Sequence, residues 1–97
     1  MALTVTTGTG NPLVVTGTTT VKDDIYTSSQ PVGIKFVYWY KPTSEGHLCN
    51  LIDGNDNAII KMEAVSDNDT QMWPLFKYVD SIYCDDMDSG TLYIYLR

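Results

Sequence analysis

Val32-Gly33-Ile34-Lys35-Phe36-Val37-Tyr38-Trp39-Tyr40-Lys41, closed by Pro42, decides the fold. It is the longest run of β-branched and aromatic residues in the chain, and such residues suit a pleated, half-buried surface. Side chains alternate across a strand, which puts Ile34, Phe36, Tyr38 and Tyr40 on one face. Gly33, Lys35, Val37, Trp39 and Lys41 take the other. The first face is wholly apolar or aromatic, and the second is apolar only in its middle. The pattern predicts a central strand, covered on one face and partly covered on the other. Pro42 lacks an amide hydrogen to give a ladder, so the strand should stop there.

The rest of the chain repeats this logic in shorter pieces. After the Thr43-Ser44-Glu45-Gly46 turn, Leu48–Asp53 and Ala58–Ala64 read as two strands joined by Gly54-Asn55-Asp56-Asn57, the strongest hairpin signal present. The last strand, Thr91–Arg97, alternates cleanly, with Leu92, Ile94 and Leu96 toward the core and Tyr93 and Tyr95 away from it. Lys77–Cys84 has β character with Val79 in phase with Tyr83. Met72-Trp73-Pro74-Leu75-Phe76 reads as an apolar loop or short strand, because a proline argues against a central strand. Lys22–Pro31 is polar and reads as a connection with at most one short helical turn. Residues 1–21 carry no charged side chain and are rich in threonine, which predicts an N-terminal hairpin, or an arm that pairs with a neighbouring subunit. Seven to eight short strands punctuated by turns, without a sustained helical period, predict an all-β fold: a single domain over residues 1–97 built as a small antiparallel β-sandwich or barrel.

Composition narrows the function. The 97 residues carry twelve carboxylates against six lysines and arginines, a net charge of −6. Acidic surfaces repel phosphate backbones and no basic stripe is present, so nucleic acid is not an expected partner. No apolar run approaches the roughly 20 residues that span a bilayer, and a basic, apolar secretory leader is not seen. No membrane partner is expected. Cys49 and Cys84 read as reduced, buried thiols, with one bridge between them as the alternative that spacing alone leaves open. With His47 the only histidine, they do not make a zinc site.

Polar constellations are explained by turns. Asp53-Gly54-Asn55-Asp56-Asn57 begins like a calcium loop, but Ala58 stands where glycine is needed and Ala64 where the bidentate glutamate belongs. Asp85, Asp86 and Asp88, like Asp67 and Asp69, read as solvated turn charge. Asn68-Asp69-Thr70 matches the glycosylation sequon without a leader to give it meaning. Catalysis lacks its usual parts: a partnered histidine, a nucleophile elbow or a glycine-rich phosphate loop. The expectation is a protein that is not an enzyme and holds no metal or cofactor.

The aromatic residues stand out. Seven tyrosines and two tryptophans serve one of three ends: core packing, a protein interface, or stacking on sugar rings. The candidate interface residues are Tyr38, Tyr40, Trp73, Phe76, Tyr93 and Tyr95.

Val37-Tyr38-Trp39 followed by Pro42-Thr43, Gly46-His47, Leu51-Ile52-Asp53 with Asn57 and Ile59, Pro74-Leu75, and Asp88–Leu96 together resemble a pattern of small open reading frames in tailed bacteriophages. The resemblance covers about two thirds of the chain and is to virion accessory proteins: capsid decoration or cement proteins, knobs and fibre modules. It implies a β-sandwich present in repeated copies on a virion assembled in the host cytoplasm, a homo-oligomer or multi-copy assembly bound to the major capsid protein or other virion proteins. It transfers no catalytic residue. A capsid decoration or cement protein is therefore the expected function, with a carbohydrate-binding module or a tail- or fibre-associated adhesion module as the alternative.

Overall fold

The computed structural model describes residues 3–6 and 11–97, with the backbone alone at Ser28 and Ser29. Seven antiparallel strands form one sheet: β1 (Leu3–Thr6), β2 (Leu13–Gly17), β3 (Asp23–Tyr40), β4 (Leu48–Ile52), β5 (Ala58–Glu63), β6 (Gln71–Met87) and β7 (Thr91–Leu96). Their order is β1-β2-β7-β3-β6-β4-β5. The sheet is not closed into a barrel, so of the two expected architectures the barrel is set aside. There is no helix among the described residues.

Two long strands, β3 and β6, organise everything else, and each serves two neighbourhoods. The first half of β3 (23–27) pairs with the second half of β6 (81–84), beside β4 and β5. The second half of β3 (32–39) pairs with the first half of β6 (71–79) and, on its other side, with β7, then β2 and β1. Inward side chains of both halves join one apolar cluster, including Leu13, Ile34, Val37, Trp39, Leu92 and Ile94 from one and Leu51, Met62, Ile82, Cys84 and Met87 from the other. Residues 3–6 and 13–17 pair with each other and β2 with β7, so these segments form an intramolecular hairpin; residues 1, 2 and 7–10 of the expected arm lie outside the described residues.

Four expectations are corrected. The polar stretch 22–31 is not a helical connection but the first half of β3. Its proline, Pro31, lies where the ladder is interrupted between Thr27 and Val32, which a residue lacking an amide hydrogen tolerates. Met72–Phe76 likewise belongs to a long strand, β6. Third, the faces of 32–41 do not alternate throughout. Ile34 is buried, and so are Val37 and Trp39, because the phase slips by one at Lys35. There β6 places an extra residue opposite β3, and β3 an extra residue opposite β7. A one-residue slip sends every later side chain to the opposite face. Phe36, Tyr38 and Tyr40 therefore point outward. Fourth, Val79 and Tyr83 do not share a core phase: Ile82 and Cys84 go inward and Tyr83 is half-buried.

Two other strand expectations hold. β3 ends at Tyr40, just before Pro42. The β4–β5 hairpin turns at Asp53, whose Oδ1 accepts the amides of Asn55 and Asn57. These bonds hold its carboxyl below the ordinary range, as the Val65 amide and Gln71 side chain do for Asp69. Lys22 reaches Asp56 at 2.7 Å. Asp53 thus spends an oxygen on the turn itself, and Asp56 one on Lys22.

Cys49 and Cys84 are free and fully buried, and the Cys84 thiol donates to the Asp86 carbonyl at 3.4 Å. The neighbouring Cys84 thiol and burial hold the Cys49 thiol well above its usual range. Because both sulfurs are out of reach of solvent, neither cysteine should react with an aromatic disulfide reagent in the native protein. Both should react at once in denaturant. Fast labelling without denaturant would show that the β4–β6 region opens readily.

Candidate functional site: an aromatic face and an open strand flank

The outer surface of the β2-β7-β3-β6 half is aromatic because register brings the outward residues of neighbouring strands into rows. Phe36 lies between Tyr95 of β7 and Pro74 of β6. Tyr38 lies between Tyr93 and Met72, and Tyr93 in turn faces Val14 of β2. The Phe36 and Tyr95 rings stack at 4.3 Å between centroids. Such a pair adds about 0.5–1.5 kcal/mol beyond its area. The rings of Tyr38 and Tyr93 are 5.8 Å apart and tilted by 42°, and those of Tyr38 and Tyr40 are 6.0 Å apart and tilted by 32°. The tilts open a cleft of about 140 Å³ lined by Tyr38, Tyr40, Tyr93 and Tyr95. At the far end of the face Tyr78 lies across Gly33, where a Cβ would come within 2.9 Å of its ring. The Arg97 guanidinium sits over Tyr78 at 5.6 Å and over Phe76 at 6.0 Å.

The second element is the flank of β6. Over 71–79 only its β3 side is paired among the described residues, since β4 joins β6 no earlier than Tyr83. This stretch carries most of the large apolar exposure of the molecule: Met72 is 59% exposed, Trp73 48%, Phe76 58% and Tyr78 63%. Pro74 suits a strand whose outer side is unpaired. Phe76 has a positive φ of 48°, unusual for a bulky residue, and it sits in the extra-residue irregularity opposite Lys35. A proline and a bulge are devices that blunt strand edges against further pairing. The flank therefore offers side chains more readily than backbone.

Charge sets this half apart. Strands β1, β2 and β7, β3 over 32–40 and β6 over 71–79 contain no carboxylate. Lys35 and Lys77 lie within them, and Lys41 and Arg97 immediately follow β3 and β7. All twelve carboxylates lie elsewhere in the chain. Asp86, at the other end of β6, and Asp88, just past it, show what that side is like: burial, and then the neighbouring Asp88 carboxyl, push the Asp86 carboxyl up.

The six candidate residues fall into two groups. Tyr38, Tyr40, Tyr93 and Tyr95 share the cleft, while Trp73 and Phe76 lie on the β6 flank. None is a core residue; the aromatic side chain that fills the core is Trp39. Sequence reasoning missed Phe36, Met72 and Tyr78 as members of the same surface. A β-strand assignment for 71–79 would have exposed the last two. His47 Nδ1 is 2.7 Å from Ser89 Oγ, within a network that ties the 43–47 turn to the one before β7. No group of metal-binding side chains occurs among the described residues, and no helix there is long and apolar enough to cross a membrane. Comparison with protein-family models, curated proteins and solved structures finds no match, so the functional reading rests on these residues alone.

Proposed function

We propose that this chain is a structural, multi-copy assembly protein that docks on a larger protein surface through the β6 flank, and that this surface belongs to a phage particle, as a capsid decoration or cement protein. The observation that carries the docking reading is the concentration of Met72, Trp73, Phe76 and Tyr78 on one unpaired strand flank. The assignment to a virion is carried by the sequence resemblance. Large apolar exposure concentrated on one strand of a small protein marks a surface meant to be covered. Trp and Tyr are the residue types that dominate protein-interface energetics.

The mechanism is mechanical. Covering Trp73 and Phe76 contributes on the order of 1.5–3 kcal/mol for each side chain, offset by the cost of association. One copy then binds modestly, and repetition over many sites supplies the rest. Because Pro74 and the bulge oppose strand addition, contact is made by side chains against the partner, such as the major capsid protein.

Co-sedimentation of purified protein with particles lacking it tests the reading. Wild-type protein should pellet with the particles, and Trp73→Asp with Phe76→Asp should remain in the supernatant. Since both side chains are exposed, the variant's urea midpoint should stay close to wild type. Equal pelleting of the two proteins would remove the flank as the docking surface.

A further inference from the structure

We propose that the cleft between Tyr38, Tyr40, Tyr93 and Tyr95 is a binding site for an acidic sugar, a pyranose unit carrying a carboxylate within a longer glycan. This site adjoins the β6 flank at Met72, beside Tyr38, but has its own lining residues and does not depend on the docking reading.

Three observations converge on that ligand class. The first is the wall chemistry. Four tyrosines from two adjacent strands line an open cleft of about 140 Å³, well below the ~300 Å³ at which drug-sized pockets begin. The space suits one ring, and the tilted aromatic faces offer apolar walls to the C–H face of a pyranose. The second is the rim. Each of the four lining residues carries a phenol hydroxyl, which both donates and accepts. Four such groups on the residues of one cleft match a ligand rich in hydroxyls. The third is charge. In a protein of net charge −6 the strands forming this face carry no carboxylate. Lys41 lies over the Tyr40 ring, 5.5 Å from its centroid, at one end. Arg97 follows Tyr95 by two residues on the same strand line at the other. Neither has an ion-pair partner among the described residues. A row of ring faces with Lys41 over Tyr40 at one end, and Arg97 over Tyr78 beyond the other, complements an anionic glycan lying along β3 and β7. Packing two copies of this face together would set these cations against each other, which disfavours a symmetric self-contact.

The test is binding of the intact chain to paired acidic and neutral oligosaccharides, uronic-acid and sialic-acid oligomers beside their uncharged counterparts, by calorimetry and by amide chemical-shift mapping. At least one acidic oligomer should bind with saturation and perturb residues 38–41 and 91–97. Tyr93→Ala and Lys41→Ala should each weaken it at least tenfold, with unchanged circular dichroism. Tyr93→Phe, which keeps the ring and removes only the hydroxyl, should lose less. Four results would overturn the proposal: no acidic oligomer bound more tightly than about 1 mM, neutral oligomers bound as well as acidic ones, shifts confined to 73–79, or tyrosine variants that alter only particle docking. The Trp73→Asp, Phe76→Asp protein should bind the same oligomer normally, which keeps failure of this site distinct from failure of the docking flank.

Discussion

Replacing Trp39 by alanine should cost about 3–5 kcal/mol, the range for emptying a large aromatic site in a core. Trp39 has no solvent exposure and is the largest of the fully buried side chains. It is central by register, with Leu92 of β7 on one side and Gln71 of β6 on the other. Its indole Nε1–H also donates to the Ser89 carbonyl at 2.9 Å, so truncation leaves both a cavity and an acceptor without its donor. Small domains hold only about 5–15 kcal/mol in total, and one of this length belongs near the lower end. A urea titration followed by circular dichroism should therefore show Trp39→Ala largely unfolded or close to it in water. Trp39→Phe, which keeps most of the volume and loses the donor, should fall between. Trp73→Ala, on the exposed flank, should stay within about 0.5 kcal/mol of wild type. A Trp39→Ala loss no greater than that of Trp73→Ala would mean that the bulge at Lys35 is misplaced and that the Tyr38 face is the buried one.

The second large effect is expected at Gly90, in the turn before β7. Its φ is +83°, and an added Cβ would come within 2.9 Å of both Trp39 Nε1 and the Tyr40 carbonyl oxygen. The second of these atoms is backbone in a central strand and cannot move aside cheaply. Gly90→Ala should cost about 2–4 kcal/mol, left-handed strain plus displacement of the strand or the indole. Gly46 is the control, because its φ of +88° is equally left-handed but nothing lies within 4 Å of a Cβ there. Gly46→Ala should cost only the conformational part, about 1 kcal/mol. Thermal or urea midpoints of the two variants, compared side by side, separate the strain from the clash. Equal losses would show that the turn yields and that the Trp39–Ser89 bond is not held by it.

Much of this fold was legible because local chemistry and tertiary pairing agree. The β4–β5 hairpin, the stop at Pro42 and the inward Leu92 and Ile94 all follow from turn residues and period-two alternation. What could not be read were the places where alternation breaks. At Lys35 an irregularity exchanges the faces of β3, and nothing in Ile34-Lys35-Phe36 announces it, since bulges depend on what the neighbouring strands present. Its consequence is large. Trp39 becomes core, and the row Phe36, Tyr38, Tyr40 becomes surface. The prolines misled in a related way. Pro31 and Pro74 argue against central strands, and both lie in long strands, one at a ladder interruption and the other on an unpaired flank. The rule about proline held, and the strands were longer than the rule suggested. The candidate residues were legible as a set of aromatics. Their division into a tyrosine cleft and an apolar flank was not, because it depends on the same phase slip and on β4 leaving β6 unpaired below Tyr83.

The claim that this chain assembles in many copies on a larger particle meets its most direct test in quantitative mass spectrometry of purified particles. Those particles would come from cells in which the encoding genome replicates. The account predicts that the chain co-purifies at a fixed, high copy number relative to the major capsid protein and survives further gradient purification. Its absence from the particles, with the protein accumulating free in the lysate, would contradict the account.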